Sequence, residues 1–171
     1  LREKDMIKKI YFPREVMPIA TVTSGFVNML LTFIVIFIVL IISGKGLNPL
    51  ALLCLPFVMI VEYILCLGIA LIVAALTVYF RDLQYILGIL TMAMQYMTPV
   101  MYGSEMVPDW ALPIFRANPM TPIVEMYRQI LYYKEVPEMM SLLYVLGIGV
   151  IFIILGFACF NKLQKGFAEN F

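Results

Sequence analysis

The sequence predicts an all-α integral membrane protein, a polytopic helical bundle with four spans and a re-entrant pair of short helices between the last two. Three observations lead there. Hydrophobic residues make up 63% of the chain and charged residues 13%, and the mean hydropathy of +0.98 is more apolar than a soluble domain of this size can hide. The apolar residues fall into four runs, 17–43, 50–80, 83–104 and 139–160, which hold a single charge among them; a bilayer core of roughly 30 Å needs about 20 helical residues. Between the last two runs, the polar segment 105–138 is too long for a turn and contains its own helix start.

Residues 1–16 carry Arg2, Lys4, Lys8, Lys9 and Arg14 against Glu3, Asp5 and Glu15, and include an amphipathic patch from Ile7 to Phe12 closed by Pro13. Such a segment belongs at a membrane surface. The chain begins at Leu1 inside this charged run, with no initiator Met and no signal-peptide pattern, and reads as the C-terminal part of a longer protein. In the first span, Pro18 sits near the start, where a missing N–H does least harm. Gly44-Lys45-Gly46-Leu47-Asn48-Pro49 is a turn and lacks the rest of a phosphate-binding loop.

The second run contains the lone charge, Glu62, about 18 Å along the helix at the usual rise. An ionisable residue at that depth marks either a transport pathway or a hydrogen bond to a neighbouring helix; the structural reading is favoured. Tyr79 and Phe80 form an aromatic edge before the Arg81-Asp82 turn. In the third run Pro99 is placed to kink or end the helix. Gly147, Gly149 and Gly156 in the fourth run, and Ala70 with Ala74 in the second, are candidate points of close helix packing.

Within 105–138, Thr121 reads as an N-cap, Pro122 as the first helical residue and Glu125 as the acid of the first turn. Ile123, Met126, Tyr127, Ile130 and Leu131 then share one face. This helix reaches roughly 20 Å, short of a bilayer core. Two readings are open: a re-entrant pair at the mouth of a pathway, or an amphipathic loop lying at the interface.

Lys and Arg counts set the orientation. Residues 1–15, the Arg81 turn and the tail hold eight, whereas Lys45, Arg116, Arg128 and Lys134 lie on the other side. The first set is therefore expected in the cytoplasm and Trp110 at the outer interface. The net charge of +1 is spread over short segments, which argues against nucleic acid as a partner. With no histidine, no nucleophile–base pair and no ligand cluster, the residues point away from an enzyme and supply no catalytic, cofactor or metal site. Cys54, Cys66 and Cys159 lie inside apolar runs as small hydrophobes. Any ATP would be hydrolysed by another chain.

Five stretches, in order, carry a family resemblance. Ile7 to Pro18 (IKKIYFPREVMP) resembles the cytoplasmic segment of the transmembrane subunits of ABC exporters for lipid-linked polysaccharides and teichoic acids. Val78 to Leu83 is similar to the family's Arg-Asp turn. Thr98-Pro99-Val100-Met101-Tyr102 resembles its Ser-Pro-x-x-Tyr, with Thr98 for Ser, and Asn118 to Arg128 (NPMTPIVEMYR) resembles its outer motif. Phe160 to Glu169 is similar to the family's ending, with Gln164 where an acid is usual.

The resemblance implies the last four of six spans in a permease of the bacterial inner or plasma membrane. A second copy would pair with it around a channel for a lipid-linked glycan, and an ABC ATPase subunit would bind ATP and Mg. It implies that Lys8, Lys9, Tyr11, Phe12, Pro13, Arg14 and Glu15 form the coupling element against the ATPase; the alternative is a set of basic anchors on anionic membrane lipid. It makes 105–138 the outer gate, with short helices around Trp110–Arg116 and Thr121–Tyr133. Tyr96, Tyr102, Phe115, Tyr127, Tyr132 and Tyr133 then either face passing sugar rings or form an interfacial belt. Pro99, Asn118 and Pro119 shape that gate, and Arg116 or Arg128 meets an anionic polymer, although Glu125 is in helical reach of Arg128. The alternatives to polymer export are an ABC permease for a small lipid or drug, and a proton-coupled transporter using Glu62.

Overall fold

The computed structural model describes residues 15–44, 46, 48–80, 82–98, 100, 106–110 and 112–167. Regular structure among them is helical: α1 (Val16–Ile42), α2 (Pro49–Tyr79), α3 (Leu83–Met97), α4 (Leu112–Ala117), α5 (Met120–Arg128) and α6 (Met139–Phe167), with α5 running into a turn of π-helix, Gln129–Tyr133. Among the described residues three helices, α1, α2 and α6, are long and apolar enough to cross a membrane.

Of the expected third span, 83–104, α3 covers 15 residues and stops at Thr98; residues 99 and 101–104 lie outside the described residues. At the α-helical rise α3 reaches roughly 22 Å, less than a full bilayer core. Its stop has a local cause. Thr98 precedes a proline, which disfavours the α conformation, and it adopts φ −96° and ψ 127°. Its hydroxyl turns back to donate to the Met94 carbonyl at 2.9 Å.

Between α1 and α2 the chain turns through Gly44 (φ 63°) and Gly46 (φ 71°), a left-handed backbone that favours glycine. Asn48 then caps α2 from an extended conformation, its side-chain oxygen accepting the Leu50 N–H at 3.1 Å, with Pro49 in the first helical position. Pro56 lies inside α2, a position tolerated in membrane helices where neighbours cover the freed carbonyl.

Helix α2 is the central post. It packs along α6, against α1 on another side and against α5 with its π-turn on a third. Leu55, Val58, Met59 and Leu65 of α2 meet Ile123, Met126 and Ile130, with Phe33 of α1 and Val145 of α6 in the same buried cluster. Leu71, Ala75 and Phe160 form a smaller one. Helix α3 has no buried residue and leaves Tyr85, Ile89, Met92 and Tyr96 exposed.

The α2–α6 contact is made by glycines. A Cβ on Gly68 would stand 2.7 Å from the Phe152 Cβ and 2.8 Å from backbone atoms of Phe152 and Ile153; one on Gly156 would stand 2.7 Å from the Leu71 Cβ. Gly149 is nearly as close, 3.0 Å from Ile64, whereas Gly147 faces open space. Of the expected packing points, Gly149 and Gly156 lie in the contact and Gly147 lies outside it. Gly68 is the partner that the sequence did not single out.

Candidate functional site

The candidate site is built where the segment between α3 and α6 meets α2. Its start is set by Asn118. The side-chain oxygen of Asn118 accepts the Met120 N–H at 3.0 Å and its main-chain carbonyl accepts the Thr121 N–H at 3.1 Å. This Asx turn through Pro119 opens α5. Thr121 is therefore not the N-cap that the sequence suggested: it lies inside α5 with a buried hydroxyl that makes no hydrogen bond among the described residues. The Asn118 amide also donates to the Thr98 hydroxyl at 3.0 Å in a buried setting. Two of the motifs, separate in sequence, are thus joined at the end of α3.

The apolar face of α5 falls as the spacing predicted. Ile123, Met126 and Ile130 are buried, and Tyr127 and Leu131 pack against the same cluster. Two polar ties then fix the depth of the helix along α2. The Asn48 amide donates to the Lys134 carbonyl at 2.9 Å, and Lys134 takes a left-handed conformation (φ 60°) that ends the π-turn. The Tyr127 hydroxyl donates to the Glu62 Oε2 at 2.5 Å across 65 residues of sequence. From Asn48 to Glu62 along α2 is roughly 20 Å. The helix therefore lies alongside the first half of α2, not across its end.

The Tyr127 ring packs on Phe33 of α1, with centroids 5.4 Å apart. A phenol keeps its proton at neutral pH, so Tyr127 is the donor of the pair. Glu62 thus has the inter-helix hydrogen bond favoured for it by the sequence. On its other side, facing α1, lies a cavity of about 340 Å³ with mostly apolar walls.

Because Asn48 closes both its own helix and the end of the π-turn, Asn48→Ala is expected to lower stability by about 1–2 kcal/mol. Thermal unfolding of the purified protein in detergent checks this, with Asn28→Ala on α1 as the comparison. Equal melting of the two variants would contradict it.

Elsewhere, Tyr96 on α3 is exposed, as are Tyr132 and Tyr133, which meet edge to face at 5.2 Å. Trp110 is 78% exposed. Phe115 on α4 and Pro119 are half-buried, and Arg128 donates to the Val100 carbonyl at 3.5 Å. Glu15 and Asp82 each flank a helix start without a side-chain cap. Lys8, Lys9, Tyr11, Phe12, Pro13, Arg14, Arg81, Pro99 and Tyr102 lie outside the described residues, as does the side chain of Arg116. Cys54, Cys66 and Cys159 are half-buried free thiols.

Long apolar helices around a central post, with a short helix alongside it that is hydrogen-bonded to the one acid of the spanning helices among the described residues, define a polytopic membrane protein. The chain belongs to the ABC-2 type transporter membrane family, which residues 3–132 match. It is similar to two proteins named O-antigen export system permease protein RfbA from Klebsiella pneumoniae, at 34% and 32% identity over 96% of this chain and 63% of each relative. It is also 25% identical to a protein of the same name from Myxococcus xanthus, over 98% of this chain and 65% of the relative. The chain therefore spans a little under two thirds of the length of these relatives. Family and apolar helices together make it a multi-pass protein of the bacterial inner membrane.

Proposed function

We propose that this chain belongs to the membrane-spanning subunit of an ATP-driven exporter that moves a lipid-linked polysaccharide or a teichoic-acid-type polymer outward across the cytoplasmic membrane. The observation that carries the proposal is its likeness, over nearly its whole length, to permeases named for O-antigen export. Two copies would frame the channel. A separate ABC ATPase would bind and hydrolyse ATP with Mg, as membership of the ABC-2 type family and likeness to proteins named as permeases imply.

In this reading, Lys8 to Glu15 receive the motion of the ATPase. Tyr11 and Phe12 fill an apolar groove while Arg14 and Glu15 pair with charges at its rim. Residues 105–138 form the outer gate. The tie between Thr98 and Asn118 supports this, because it links the far end of α3 to the turn that opens the gate helix. Helix α3 itself is scarcely held by the bundle, so it can shift as a rod and carry that end with it.

The test is export in cells, read as polymer at the surface. Export is expected to survive Glu62→Gln, whose amide oxygen still accepts the Tyr127 hydroxyl, and to stop when hydrolysis by the partner ATPase is blocked. Export that continues without ATP hydrolysis but fails with Glu62→Gln would contradict the proposal in favour of proton coupling.

A further inference from the structure

We propose that Glu62 is a gate-positioning residue: its bond to Tyr127 is the latch that seats α5 against α2, and the outer end opens by breaking it. The inference rests on the reading of 105–138 as the outer gate and adds what holds that gate shut.

The argument begins with what apolar packing cannot do. Ile123, Met126 and Ile130 choose which face of α5 turns toward α2. Contacts of that kind in a lipid setting are non-directional, and a helix can slide or tilt on them at little cost. The hydroxyl–carboxylate bond is directional, and among the described residues Tyr127 is the donor that Glu62 has. It therefore fixes both the depth and the tilt of α5. The surroundings give the helix a fixed point and a hinge. Beyond Tyr127 the chain passes through the π-turn Gln129–Tyr133, whose bonds depart from the regular helical ladder, into left-handed Lys134. Lys134 is pinned to Asn48 through its carbonyl. At the other end Asn118 is tied to Thr98 of the loosely held α3. A displacement of α3 thus pulls one end of α5 while Asn48 holds the other, and the bond between them at Glu62 is where the load falls. The cavity of about 340 Å³ lined by Val22, Gly25, Phe26, Met29, Tyr63 and Cys66 gives the Glu62 carboxyl room to turn away once Tyr127 leaves.

The test uses the full-length permease in intact cells, with its native cysteines, Cys54, Cys66 and Cys159 among them, changed to serine and Met126→Cys as a reporter on the buried face of α5. A membrane-impermeant maleimide is applied from outside. Tyr127→Phe, which keeps the ring on Phe33, is expected to raise the labelling rate roughly tenfold, as loss of one buried hydrogen bond does for an opening equilibrium. Glu62→Leu removes the same bond from the other side and is expected to do the same. The double variant should label no faster than either single one, since both delete one interaction. Glu62→Gln should label within about twofold of the parent, as it keeps the acceptor. Melting temperatures separate the latch from general loosening: that of Tyr127→Phe should fall no further than that of Asn48→Ala, as expected for the loss of a hydrogen bond and not of the packing around it.

Labelling of both single variants at the parent's rate overturns the proposal, as does a double variant whose effect is the product of the two. Labelling that rises while ATP-driven export and ion leak stay at the parent's level leaves Glu62 as the residue that seats α5 and removes the gate assignment.

Discussion

Gly68→Ala is expected to be the most damaging glycine-to-alanine change among the described residues, at about 3 kcal/mol. The added carbon would stand 2.7 Å from one Cβ and 2.8 Å from two backbone atoms of α6. A side chain under such pressure can rotate away; a helix backbone cannot, so the whole α2–α6 pair must part. In lipid there is little hydrophobic drive to pull the helices together again, because their pairing comes from close packing itself. Gly156→Ala meets the Leu71 Cβ at 2.7 Å and should rank second, and Gly149→Ala at 3.0 Å third. Gly147→Ala, with nothing within 4 Å, should be neutral or gain up to about 1 kcal/mol from helix propensity. Thermal unfolding of the four purified variants checks this order. Equal losses at Gly68 and Gly147 would mean that α2 and α6 are not in backbone contact.

That glycine series shows what a single sequence gives and withholds. Gly149 and Gly156 are a heptad apart on one helix and can be picked out as a stripe. Gly68 stands alone on another helix, and its importance lies in a crossing that no local pattern encodes. The same division holds for the spans. Charge-free runs located α1, α2 and α6 to within a residue or so at their beginnings, because hydropathy and helix length are both set locally. They overran α3, since hydropathy continues past Thr98 while backbone geometry before a proline does not.

The outer segment divides in the same way. The face of α5 was legible from spacing, whereas its cap was misplaced by three residues because Asn118-Pro119 and Thr121-Pro122 offer the same local chemistry. Only the tertiary setting, in which the Asn118 amide has Thr98 to bond, selects the first. Glu62 announced itself as the one charge in the spanning runs. Its partner could not be read, because Tyr127 lies 65 residues away and looks like any other tyrosine of an amphipathic helix. Asn48 was legible as part of a turn but not as the anchor of Lys134.

In the proposed function, this membrane chain is moved by a separate ATPase through its cytoplasmic segment. The second large effect is expected there. If residues 8–15 dock on the ATPase as proposed, Phe12→Ala would remove an aromatic anchor and Arg14→Glu would place a like charge at a rim that the native residue pairs with, and losses at such anchors commonly exceed 2 kcal/mol each. Together, a loss of about 4 kcal/mol weakens binding by roughly a thousandfold, enough to empty the complex at purification concentrations. Co-purification of the full-length permease from native membranes is therefore the decisive measurement. An ATPase chain should come with the parent protein and be lost from the Arg14→Glu, Phe12→Ala variant, while that variant still inserts and keeps the parent's oligomeric state. If no ATPase accompanies the parent in any detergent or lipid, or if the double substitution leaves it bound, the account of an ATP-driven exporter coupled through residues 8–15 is contradicted.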